Sequence, residues 1–63
     1  MEKSNEMQKL IKKMLNRHQN VSKALRYELV AEQLGVTSRY VRYIEAGEPV
    51  KVKAIEKLIR IMA

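Results

Sequence analysis

Two hydroxyl residues, two arginines and two tyrosines fall within seven consecutive positions, Thr37-Ser38-Arg39-Tyr40-Val41-Arg42-Tyr43. These side chains suit nucleic-acid recognition. An arginine fork makes two parallel hydrogen bonds to guanine O6 and N7, while hydroxyls and backbone N–H groups at a helix start take phosphates. On a helical wheel Val41 and Ile44 lie about 60° apart and define an inward side. Arg39, Arg42, Tyr43 and Ala46 then fall on the opposite arc, with Ser38 on one flank and Tyr40 on the other. The spacing predicts a helix over about residues 37–46 whose outer face enters a DNA major groove. A plainer reading stands beside it: Arg39 and Arg42 as solvated surface residues, Tyr40 as a packing residue, and Tyr43 as a surface stacker.

Other chemistries lack their parts. The chain has no Cys, no Asp and a single His, His18, among 63 residues. That excludes a disulfide framework, a thiolate metal site, a cluster of imidazole ligands and a Ser-His-Asp triad. No catalytic residue, metal ligand or cofactor site is therefore nominated, no small-molecule ligand is evident, and an enzyme is not expected. The charge points elsewhere. Thirteen Lys and Arg against seven Glu give a net +6. Residues 1–24 carry six bases and two acids, residues 25–48 three and four, and residues 49–63 four and one. A balance this basic implies a polyanionic partner, nucleic acid ahead of a membrane surface. Lys9, Lys12, Lys13 and Arg17 read as a solvated face that adds to the attraction for phosphate.

The elements that must position this segment are helical. Two Gly and one Pro are too few for a strand-and-turn architecture, and a 46% hydrophobic composition is too apolar for a disordered tail. Met7, Leu10, Ile11, Met14 and Leu15 trace a first helix, about Ser4–Arg17, with Ser4 as its cap. A loop or loose turn runs through Lys23, with Ser22 an alternative cap. Leu25, Val30, Ala31 and Leu34 mark a second helix, ended by Gly35 in the left-handed conformation. Thr37 or Ser38 caps the third, which Gly47 closes and Pro49 keeps from resuming. Val52, Ile55, Leu58, Ile59 and Met62 trace a fourth. No apolar run is long enough for a membrane span or a signal-peptide core, so a soluble, cytoplasmic protein is expected. The expected fold is all-α: one domain over residues 1–63, a compact bundle of four short helices containing a helix-turn-helix.

The positions Leu25, Val30-Ala31, Leu34-Gly35-Val36, Val41, Ile44-Glu45-Ala46-Gly47, Val52, Ile55 and Leu58 together resemble the lambda-repressor-like helix-turn-helix family, the class of phage repressors, Cro proteins and xenobiotic-response-element regulators. The resemblance covers roughly residues 7–62. It implies base-facing roles for Thr37, Ser38, Arg39 and Tyr43, a backbone-reaching role for Arg42, and a phosphate contact at Tyr27. It also implies an internal ion pair between Glu45 and an arginine of the first helix, here Arg17. Lys51, in the loop before the fourth helix, is a further candidate for the phosphate backbone. The chain departs from the family in having Arg26 and Tyr27 where Thr or Ser and Gln are usual, in a longer first loop, and in lacking a fifth helix. The function implied is a Cro-like repressor of phage or mobile-element type that occludes a promoter as a homodimer. The expected dimer contacts are Val50, Val52, Ile61 and Met62, with core burial able to claim Val52 and Met62. Two alternatives stay open: a protein-interaction module (an antitoxin or adaptor), supported by Leu29, Ile59 and Ile61, and an excisionase-like architectural DNA binder.

Overall fold

Met7, Ile11, Met14 and Leu15 recur at i, i+4, i+7 and i+8, which lays one apolar stripe along a helix. The structure, a computed structural model, describes the backbone from Lys3 to Ala63 and the side chains from Glu6 onward. In it the stripe is the inner face of α1 (Lys3–Asn16), and all four side chains are buried. Leu10 is half-buried beside them, while Lys9, Lys12 and Lys13 face out. The helix starts at Lys3, so Ser4 lies inside its first turn and does not cap it; its end is Asn16, one residue short of the expected Arg17.

A run of turns follows α1, with Arg17 N–H to Met14 O, His18 N–H to Leu15 O and Val21 N–H to His18 O. Loop carbonyls need partners, and Arg26 supplies them. Its guanidinium donates to the carbonyls of His18 at 3.1 Å, Val21 at 3.2 Å and Gln19 at 3.5 Å. The arginine thereby braces the loop that follows α1. Helix α2 (Lys23–Leu34) starts at Ser22, whose Oγ accepts from the Leu25 N–H at 3.3 Å. Its inner face is Tyr27, Val30, Ala31 and Leu34. Leu25, expected on that face, is instead 43% exposed. It lies about 160° around the helix from Tyr27, so burying the tyrosine turns the leucine outward.

Gly35, at φ 71°, closes α2: its N–H reaches Glu32 O, and the Val36 N–H reaches Ala31 O at 2.9 Å. This is the 6→1 closure that returns the chain at a helix end, and Val36 packs back against the core. Three residues, Gly35 to Thr37, separate α2 from α3 (Ser38–Glu45). Val41 and Ile44 of α3 are both 0% exposed, as the wheel predicts. After Gly47 (φ 100°) and Pro49, α4 (Lys53–Met62) begins at Val52 with no side-chain cap. Ile59 is its buried anchor, with Ile55, Leu58 and Met62 half-buried. Val52, read as a core position, is 50% exposed because it caps the helix and lies outside it. The described residues form four helices and no strand. Helix α1 lies against the other three and α2 against α3 and α4, around one largely aliphatic core to which Tyr27 adds a buried aromatic ring.

Candidate functional site

The site is built on α3 and its start. Thr37 takes an extended conformation (φ −85°, ψ 158°), and its Oγ1 accepts from the Tyr40 N–H at 3.2 Å. That cap lets an eight-residue helix begin immediately after the turn. With Val41 and Ile44 driven into the core, Arg39, Arg42, Tyr43 and Ala46 are all exposed, and Ser38 and Tyr40 are half-buried on the two flanks. The face nominated from sequence is therefore one continuous outer surface.

Within it the tyrosines pair. The rings of Tyr40 and Tyr43, one turn apart, stack with centroids 5.9 Å apart and planes 15° from parallel. Thr37, Arg39, Tyr40 and Tyr43 line a shallow pocket of about 200 Å³ that opens on this face. The Tyr40 hydroxyl is buried with no hydrogen-bond partner among the described residues. Stacking and ring burial therefore hold this side chain in place, against a cost of roughly 1–3 kcal/mol for an unpaired buried hydroxyl. Tyr40, read from sequence as a packing residue, thus also forms a wall of the pocket. The i, i+3 spacing of Tyr40 and Tyr43 was the available signal for that arrangement.

The inner end of α3 is fastened by other residues. The Tyr27 hydroxyl donates to Glu45 Oε1, and Gln8 Nε2 of α1 donates to the Glu45 carbonyl at 2.7 Å. The Arg42 guanidinium lies over the Tyr27 ring, 5.0 Å from its centroid, in cation–π range. Burial, then the bond to Glu45 and its negative charge, push the Tyr27 phenol above its ordinary pKa, against smaller opposing effects of Arg42 and Arg26. Tyr27, the expected phosphate contact, is 5% exposed, and its hydroxyl donates to Glu45. The expected Arg17–Glu45 pair is corrected. Arg17 donates to the carbonyls of Met62 at 2.5 Å and Ala63 at 2.7 Å, joining the ends of α1 and α4. Tyr27 and Gln8 do the work assigned to it. A separate crevice of about 210 Å³ beside Tyr27 is edged by Lys12, Lys23 and Arg26 as well as Glu45.

The five arginines differ in what they have left to offer. Arg17 and Arg26 are spent on carbonyls and Arg60 on Glu6 and Glu56, while Arg42 lies over the Tyr27 ring, a contact that leaves its N–H donors open. Among the five arginines, Arg39 alone meets no acid, carbonyl or ring in the described residues. Lys51 is exposed in the connection between α3 and α4, apart from the α3 cluster in sequence and outside the pocket. Among the expected dimer contacts, Val52, one residue before α4, and Ile61, near its end, are 50% and 71% exposed. Val50 and Met62 are half-buried against the core.

Among the described residues no group of three or more His and acidic side chains gathers to hold a metal, and no helix is long and apolar enough to cross a membrane. Comparison of the chain with protein-family models, with curated proteins and with solved structures gives no match.

Proposed function

We propose that this chain is a sequence-specific double-stranded DNA-binding transcriptional regulator of the lambda-repressor-like kind, a Cro-like repressor acting in the cytoplasm. Helix α3 is the recognition helix. The observation that carries the reading is Arg39: an uncommitted guanidinium in the middle of an exposed helix face, beside exposed Tyr43 and behind the hydroxyls of Thr37 and Ser38. A free fork is what bidentate guanine recognition requires, because a guanidinium already bound elsewhere must first break that contact.

The +6 charge draws the protein to the duplex and supplies the sequence-independent part of affinity. Arg39 and Tyr43 meet base edges, Thr37 and Ser38 the adjoining phosphates, and Arg42 and Lys51 the backbone. Two copies on half-sites one helical turn apart cover enough duplex to exclude a polymerase. Ile61 is the side chain of the expected interface with most apolar area to bury. A contact centred on one residue makes a weak dimer in solution and a firmer one on DNA.

Selection of duplexes from a random pool, followed by gel shift at low and moderate salt, tests the reading. A recovered two-fold consensus supports it. Binding without consensus but with strong bending supports the architectural alternative. No binding at low salt supports a protein-interaction module, for which Ile61 is exposed, Leu29 is half-buried and Ile59 is buried in the core.

A further inference from the structure

The pocket on the outer face of α3 suits one particular base feature. It is lined by Tyr40, Tyr43, Arg39 and Thr37, whose Oγ1 is already committed to the Tyr40 N–H. The surface it offers is largely hydrocarbon and aromatic, and it is stiff, because the two rings are stacked on each other. In the major groove the base edges present hydrogen-bond donors and acceptors, and one apolar group: the C5-methyl of thymine. We infer that the Tyr40–Tyr43 pocket receives a pyrimidine 5-methyl group, so that each half-site contains a thymine beside the guanine read by Arg39. The inference rests on the DNA-binding reading and names what that site prefers.

The helix fixes the separation of the two bases. Arg39 and Tyr43 stand at i and i+4, with Cβ atoms about 5–6 Å apart. Successive base pairs are about 3.4 Å apart. The thymine therefore lies one or two base-pair steps from the guanine. Tyr43, 39% exposed, makes the contact, and Tyr40 behind it keeps the ring from turning away. Cytosine lacks the methyl and 5-methylcytosine restores it, so the pocket distinguishes those two bases as well.

The test alters the DNA and leaves the protein intact. In the duplex selected by the full chain, each thymine is replaced in turn by uracil, which removes the methyl alone. The same positions are then compared as cytosine and 5-methylcytosine. The expected result is one thymine per half-site, one or two steps from an essential guanine, where uracil weakens binding about fourfold, the value of one buried methyl-sized group. At that position 5-methylcytosine binds better than cytosine by a similar factor. Tyr43→Ala, checked for unchanged helix content, abolishes both differences, and Tyr43→Phe keeps them. A selected duplex in which no uracil substitution matters overturns the inference and leaves the DNA reading standing. A methyl effect that survives Tyr43→Ala also overturns it, since the methyl then sits elsewhere. Failure to select any duplex overturns both.

Discussion

The hydroxyl of Tyr27 donates to the carboxylate of Glu45, joining α2 to the last residue of α3 across 18 positions of sequence. The same residue's carbonyl accepts from Gln8 of α1. One end of the recognition-helix candidate is therefore fastened to both neighbouring helices, and the other is fixed by the Thr37 cap and the three-residue turn. With both ends held and Val41 and Ile44 buried, the direction in which Arg39 and Tyr43 point is set by the core.

That fastening should be measurable as coupling. Hydrogen bonds to charged groups contribute roughly 1.5–3 kcal/mol, so Tyr27→Phe should lower stability by an amount of that order. In a double-mutant cycle by urea unfolding, Tyr27→Phe and Glu45→Gln should couple by about 1 kcal/mol or more. The cycle of Arg17→Ala with Glu45→Ala should show none, because Arg17 bonds the carbonyls of Met62 and Ala63. Coupling in the second cycle and not the first would reverse the assignment.

The raised pKa of Tyr27 gives a pH signature. An unfolded tyrosine loses its proton at about pH 10. In the folded state the proton is held more tightly, so between the two pKa values the native chain binds more protons than the unfolded one. Stability from this group is complete below about pH 10 and falls as pH rises through the folded pKa. Urea midpoints measured from pH 8 to pH 11.5 should drop more steeply for the wild type than for Tyr27→Phe. Parallel curves would show that Tyr27 carries no linkage.

The unpaired hydroxyl of Tyr40 leads to the opposite kind of effect. Tyr40→Phe removes a buried polar group and keeps the ring stack, so the variant should be as stable as the wild type or more stable, by up to about 1 kcal/mol. Thermal unfolding decides it. A loss above 1 kcal/mol would mean that the hydroxyl has a partner in solution.

Much of this arrangement can be read from the residues. Val30, Ala31, Leu34, Val41, Ile44 and Ile59 are spaced at the helical period, and Gly35 and Thr37 are residue types that end and begin helices for simple steric and hydrogen-bonding reasons. Outward placement of Arg39, Arg42 and Tyr43 follows from the inward placement of Val41 and Ile44. The same spacing sets Tyr27 three, four and seven residues before Val30, Ala31 and Leu34, so the inner face of α2 takes the tyrosine and Leu25, about 160° away, turns outward. Two other features are not legible in that way. Arg17 has two possible types of partner, an acid on α3 or the carbonyls at the end of α4, and only the packing of α1 against α4 shows which is within reach. Val52 is apolar and in register with Ile55 and Ile59, but its position one residue before the helix takes it off the buried stripe.

Ile61 tests the assembly. At 71% exposure its replacement by Asp should change folding stability by no more than about 0.5 kcal/mol. Binding to a single half-site should be unaffected, while cooperative binding to a two-fold site falls. Val52→Asp, in the connection before α4, should leave cooperativity intact. Footprinting of both variants on full and half operators separates them. If the Val52 variant loses cooperativity and the Ile61 variant keeps it, the interface lies on the α3–α4 connection.

The most direct test of α3 as the reading element compares Arg39→Ala with Lys51→Ala on the selected operator and on random duplex at several salt concentrations. Arg39→Ala should cost about 1–3 kcal/mol on the operator and relax preference at one base pair, with a much smaller loss on random DNA. Lys51→Ala should weaken both duplexes about equally and reduce the salt slope by roughly one counterion. Helix content must match the wild type in both variants, so that lost folding does not imitate lost binding. Identical profiles for the two variants, or an Arg39→Ala protein that still prefers the operator as strongly as the wild type, would contradict the assignment of Arg39 and with it the account of α3.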